Sequence, residues 1–225
     1  TLKQRKEIEK FDKAKELRRN IERIKKHIME NLDSPNLRRR KTATVCYLID
    51  RLKIRVGDEK DPDEADTVGA STLRPEHIKF GEDGKVTFNF LGKDSVPHVF
   101  KVELPEKVVR NLKEFSANAE TTLFNGVDSK RVSEFLDEVV TGLSAKVFRT
   151  YYASEAVETK LNNTVVDVED PDHVKKYVAT MANLEAAKTC NHKRTIPKTW
   201  ESSLQRREER LKELIRLSLI HISEP

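Results

Sequence analysis

One short stretch, residues 77–104, breaks the helical periodicity of this chain and leaves few folds open. In HIKF (77–80) and KVTFNFL (85–91) apolar and polar residues alternate around a GEDG turn, the period of half-buried strands. GKDS follows, then VPHVFKVEL, a third strand whose Pro97 lacks a backbone donor and so marks a sheet edge. Lys93 therefore falls in the tight turn between the second and third strands. Over most of the rest, loops aside, apolar residues recur every three or four positions. Ile8, Phe11, Leu17, Ile21, Ile24 and Ile28 make one stripe along residues 3–30, a long amphipathic helix with a basic opposite face.

Ser34-Pro35 is expected to cap a second helix that runs through RRRKTATVCYLIDRLKIRV and stops at Gly57, followed by an acidic loop. Pro105 opens a helix over 105–117, and Asp128 or Ser129 caps one to Val140. Ser144 caps the helix that carries AKVFRTYYAS, residues 145–154. After a polar loop at 163–170, Pro171 leads into a helix through MANLEAAKTC that NHKRTIP breaks. From Lys198 the pattern is a charged helix of coiled-coil type. The expected fold is mainly α with a small three-stranded antiparallel sheet.

Charge is uneven. Residues 1–40 hold 14 Lys and Arg against 7 Asp and Glu, whereas the whole chain carries a net charge of only +5. A concentrated basic segment suits a polyanion, although solvated helices are also rich in Lys and Arg. Cys46 and Cys190 stand far apart without a CxxC, so neither a disulfide framework nor a zinc site follows, and a reducing interior fits. The acidic loop 58–66 lacks the EF-hand positions, and there is no GxxxxGK[ST] phosphate cradle, so no metal, ATP or other cofactor is expected. No apolar run reaches membrane-spanning length, and no signal peptide opens the chain.

The ends carry their own expectations. The chain opens within a helix and without an initiator Met, so its start is expected upstream. LSLIHISEP (217–225) departs from the Lys/Glu-rich helix before it and resembles the translation of a sequencing-library adaptor, so it is set aside as non-native. The natural protein is then expected to continue beyond Arg216.

Four groups stand at element ends or on an inward face: Arg55, Lys93, Arg149 and His192. Singly, Arg55 could cap a helix, Lys93 could be a solvated turn lysine, Arg149 an ion-pair partner and His192 a loop histidine. Together they are a set that phosphodiester cleavage needs. Forked guanidinium donors match nonbridging oxygens, an ammonium can protonate a leaving oxygen, and imidazole supplies a further hydrogen bond.

TATVCYLIDRLKIRVGDEK (42–60), ADTVGASTLRPEHI (65–78), FNFLGKDS (88–95), GLSAKVFRTYYAS (142–154) and CNHKRTIPK (190–198) occur in the order and spacing of type IB DNA topoisomerases. The resemblance spans roughly residues 10–200, and the compact form is most similar to the archaeal branch. It implies the tyrosine recombinase/topoisomerase IB catalytic-core fold. Residues 1–33 would be a basic leading helix, 34–197 the core and 198–216 the start of a helical linker. It implies that Arg55 and Arg149 clamp the scissile phosphate and that His192 hydrogen-bonds a nonbridging oxygen. Lys93 would be general acid to the 5′-oxygen. Lys146, Asp94, Gly57, Arg38, Arg39 and Arg40 would support the site or the DNA. The partner would be double-stranded DNA, read with little base specificity, on the chromosome inside the cell.

Lys146-x-x-Arg149 is the topoisomerase form, where tyrosine recombinases usually have H-x-x-R. In the family the nucleophile lies in a later segment close to S-K-x-N-Y, which this sequence lacks, whether because it follows on the same chain or belongs to a second subunit. Tyr151 and Tyr152 are read as packing or DNA-proximal residues. A non-catalytic basic DNA-binding module and a recombinase-like strand transferase remain the alternatives.

Overall fold

The apolar stripe of the leading segment folds as one helix, α1 (Leu2–Asn31), in a computed structural model that describes residues 2–57, 67–192 and 197–222. Leu17, Ile24 and Ile28 are fully buried where α1 packs on two later helices, α2 (Leu37–Leu52) and α5 (Ala145–Asn162). Burial begins at Ala14. Ile8 and Phe11 share the stripe's period but stay exposed, Phe11 on the wall of a cleft that α5 also lines.

Helix α2 differs from expectation at both ends. Its cap is Asn36, whose side chain accepts from the Arg39 N–H at 3.1 Å, while Ser34 turns the chain one step earlier by accepting from the Asn36 N–H. It stops at Leu52 rather than Gly57, because Lys53 takes a left-handed conformation (φ 55°) and returns its N–H to the Ile49 carbonyl. Beyond it the chain is extended. Ile54 and Val56 turn inward, which leaves Arg55 pointing out between them. Period two thus replaces period 3.6 over three residues, too few to announce a strand in the sequence.

Two glycines lock this segment in place. The Arg55 and Val56 carbonyls accept from the N–H groups of Ala70 and Ser71 at 2.8 and 2.7 Å, and the Ser71 hydroxyl also donates to Val56. Gly57 has φ +108°, and a Cβ there would lie 2.6 Å from the Gly69 backbone. Gly57→Ala is therefore both strained and overpacked, and we expect it to lower stability by about 2–3 kcal/mol in chemical denaturation. Unchanged stability would mean the two backbones are not held this close. The acidic loop 58–66 lies outside the described residues.

The three strands form as the alternation predicts: β1 (Ile78–Phe80), β2 (Lys85–Gly92) and β3 (Val96–Glu103), antiparallel in the order β1-β2-β3. Phe90 pairs with His98 and Gly92 with Val96, and one 3-10 turn, Lys93–Ser95, joins the strands. Strand β3 is an edge, as Pro97 requires. Helix α3 (Glu106–Ala117) follows Pro105. Asp128 caps α4 (Ser129–Asp137), which ends three residues before Val140. Helix α6 is Asp172–Thr189.

Helix α2 forms the middle of the core and touches α1, α3, α4 and α5. Val45, Cys46, Leu48 and Ile49 are fully buried on it, and Phe88, Phe124 and Phe148 are among the largest side chains closing around that core. Each such aromatic or aliphatic side chain contributes about 1.5–3 kcal/mol by leaving water. Residues 1–192 make one compact unit, which includes the leading helix, and residues 193–225 a second. The second holds α7 (Trp200–Ile222), on which Leu204, Leu211 and Leu214 are exposed. The change of sequence character at Leu217 does not end that helix.

Candidate active site

Helix α5 presents Arg149 between the C-termini of two other helices, and this gives the site its geometry. The last carbonyls of a helix have no intrahelical donor. Arg149 Nη1 donates to the carbonyl of Lys53, the cap of α2, at 2.5 Å, and Nη2 donates to that of Cys190, the cap of α6, at 3.0 Å. Negative helix ends and a positive fork complement each other. Nη2 also lies 2.9 Å from His192 Nε2. Guanidinium can only donate, so His192 accepts there and is the neutral tautomer with its proton on Nδ1. Its pKa is held below the ordinary histidine value, first by burial and then by the positive charges of Arg149 and Arg55. Burial, with Arg55 nearby, also lowers that of Arg149, although a guanidinium stays charged at any ordinary pH.

Arg55, Lys93, Arg149 and His192 all line one cleft of about 1050 Å³, along with Lys146 and Gly57. Four separate segments bring them there: the extended segment after α2, the β2–β3 turn, the first turns of α5, and the turn after α6. Among the described residues the lining has five Lys or Arg, the fifth being Lys10, against the one carboxylate of Glu158. Arg18 already holds that carboxylate at 2.5 Å. A cleft so charged attracts a phosphate or another polyanion. Among the described residues no group of three His, Cys, Asp or Glu is placed to hold a metal ion. The Asp94 side chain lies outside what the structure describes.

The three neighbouring arginines of α2 lie away from this cleft. Arg39 makes a bidentate pair with Glu138 on the α4 side and also donates to Asn31. Arg40 pairs with Glu114 and lies over the Phe115 ring of α3. Arg38 is exposed. Both engaged arginines brace α2 against its neighbours.

None of the four tyrosines lines the cleft. Tyr151 is buried and donates to Glu155 at 2.9 Å; Tyr152 donates to Asp50 at 2.5 Å. Burial and these carboxylates push the Tyr151 hydroxyl up to about 12 and raise that of Tyr152 as well, the reverse of what an attacking phenolate needs. The Lys53 ammonium caps the Tyr152 ring at 4.4 Å.

Sequence reasoning missed the Lys53 and Cys190 carbonyls, since main-chain acceptors carry no residue signature. It also missed Asn191 and His98, which were legible. An Asn just after a helix is a common left-handed terminator, and alternation in β3 turns His98 inward.

The sequence pattern of the eukaryotic DNA topoisomerase I catalytic core matches residues 1–218. DNA topoisomerase 1 alpha of Arabidopsis thaliana is 38% identical over 209 residues, covering 92% of this chain and 22% of that protein. DNA topoisomerase 1 of Candida albicans is 36% identical, with coverage of 96% and 28%, and that of Drosophila melanogaster 35%, with 94% and 22%. The chain thus spans about a quarter of the length of the curated relatives it matches.

Proposed function

The chain belongs to the eukaryotic DNA topoisomerase I catalytic-core family, and on that premise we propose that its cleft binds and breaks one phosphodiester of duplex DNA on the chromosome. A tyrosine hydroxyl gives its proton to solvent as it attacks the phosphorus, the bond to the 5′-oxygen breaks, and a 3′-phosphotyrosine forms. Arg55 and Arg149 take the nonbridging oxygens, His192 hydrogen-bonds one of them, and Lys93 gives its proton to the departing 5′-oxygen. Lys146 and Gly57 flank the bound strand, with Asp94 beside Lys93. Reversal returns the proton and reseals the strand after the duplex has rotated. The covalent link retains the phosphodiester energy, so the reaction uses neither ATP nor a metal.

The observation that carries this reading is the convergence of those four groups on one cleft from four segments far apart in sequence. His192 fits its role in a specific way. Its Nε2 faces Arg149, which leaves Nδ1–H as the donor, and a bound phosphate would favour the protonated ring. Tyr151 and Tyr152, tied to carboxylates, are scaffold, and the attacking tyrosine comes from an S-K-x-N-Y segment outside these residues.

The test is supercoil relaxation in EDTA without ATP, using this chain together with a separate fragment that bears the family tyrosine segment. We expect relaxation, and we expect it to persist in the chain carrying Tyr151→Phe and Tyr152→Phe. DNA binding without relaxation would favour a non-catalytic binding module instead.

A further inference from the structure

Lys93 and His192 sit on elements with no covalent reason to keep register, the β2–β3 turn and the end of α6. One side chain spans them. Asn191 has φ 50°, the left-handed position that follows a helix. Its N–H bonds the Lys188 carbonyl at 3.0 Å, and the next N–H, of His192, bonds that of Ala187 at 2.8 Å. This paired return fixes the backbone of His192. The Asn191 side-chain amide reaches the other way. Nδ2 donates to His98 Nδ1 at 2.9 Å and to the Pro97 carbonyl at 3.3 Å. His98 in turn lies flat on Phe90, centroids 5.1 Å apart and planes within 8°. That stack brings its ring within 2.5 Å of where a Cβ on Gly92, the residue before Lys93, would lie. Any side chain at position 92 would push the ring off.

We infer that Asn191 and His98 are positioning residues, a bridge that sets the Lys93 turn against the Arg149–His192 pair. Through its main chain Asn191 fixes His192, and through its amide it fixes the turn that carries the proton donor. The kinetic consequence rests on the phosphoryl-transfer reading; the bridge itself does not.

Two variants isolate it. Asn191→Gly keeps the left-handed backbone and deletes both amide bonds. His98→Phe keeps the stack on Phe90 and deletes the acceptor. In the full-length gene product each should slow cleavage of ordinary DNA roughly ten- to a hundred-fold, since a small misplacement of a reacting group has that effect. DNA affinity should stay unchanged, and the double variant should be no slower than the worse single one. A duplex with sulfur in place of the scissile 5′-oxygen supplies the readout that a general structural defect would not move. A thiolate leaves without needing a proton, so both variants should cleave it near the wild-type rate. Equal slowing on both duplexes, or no slowing on either, overturns the bridge. If the unaltered protein cleaves neither duplex, the enzymatic reading fails, and the bridge is then judged on this chain alone. The His98 Nδ1 resonance should shift on Asn191→Gly, and an unmoved resonance overturns it.

Discussion

Replacing Arg149 with alanine should slow strand cleavage by roughly 10³-fold and loosen the fold at the same position. The two effects have separate causes. Removing a guanidinium aimed at charge that grows in the transition state slows such reactions roughly 10²–10³-fold for a single donor. Here the loss should reach the upper end, because His192 loses the group that orients it. The structural effect comes from the Lys53 and Cys190 carbonyls, which the alanine leaves without their donor at the ends of α2 and α6. Each part-buried acceptor left unpaired costs about 1 kcal/mol or more, so unfolding should be easier by about 2–3 kcal/mol. Arg149→Lys separates the two. It keeps the charge, but one ammonium cannot serve both helix ends and a phosphate, so stability should partly recover while cleavage stays crippled. Single-turnover cleavage and denaturant unfolding of the same preparations measure both quantities. Cleavage by Arg149→Ala within ten-fold of wild type would remove Arg149 from the phosphate.

Lys93→Ala should give the opposite pattern, a large kinetic defect on an intact fold. Lys93 lies in a short 3-10 turn, and the general-acid role proposed for it would be worth roughly 10²–10⁴-fold in rate. DNA affinity should change little, since one phosphate contact among many is lost. The 5′-sulfur duplex decides the role, because it should restore most of the rate to this variant. It should not rescue Arg149→Ala, whose proposed contacts are with the nonbridging oxygens. Equal losses in binding and cleavage would make Lys93 a phosphate contact only.

Much of the fold was legible because its signals were local. The switch from period 3.6 to period two located the sheet, Pro97 placed β3 at its edge, and Pro105 and Asp128 marked helix starts. The misreadings also have local causes. Glycine, the usual stop signal, predicts the end of α2 at Gly57, but Lys53 adopts the left-handed conformation four residues earlier. Ile8 and Phe11 fit the stripe of α1, yet periodicity cannot say how far the covering helices reach. For the basic run Arg38–Arg40, expected to support the site or the DNA, the structure adds partners that the sequence could not show. Glu114 and Glu138, remote in sequence, engage two of its members.

By itself the sequence determined the element types, the turn that holds Lys93, the family, and the four residues worth watching. Those follow from spacing and side-chain chemistry, which are properties of the chain before it folds. Only the tertiary structure decided that the four share a cleft, that Arg149 is held by two helix ends, and that both tyrosines after it face carboxylates instead of that cleft. Only it joined Asn191 to His98. Apart from the Tyr151–Glu155 pair, one helical turn apart, these contacts join partners 41 to 102 positions away, several of them through main-chain carbonyls. No local pattern encodes such contacts; packing brings them together.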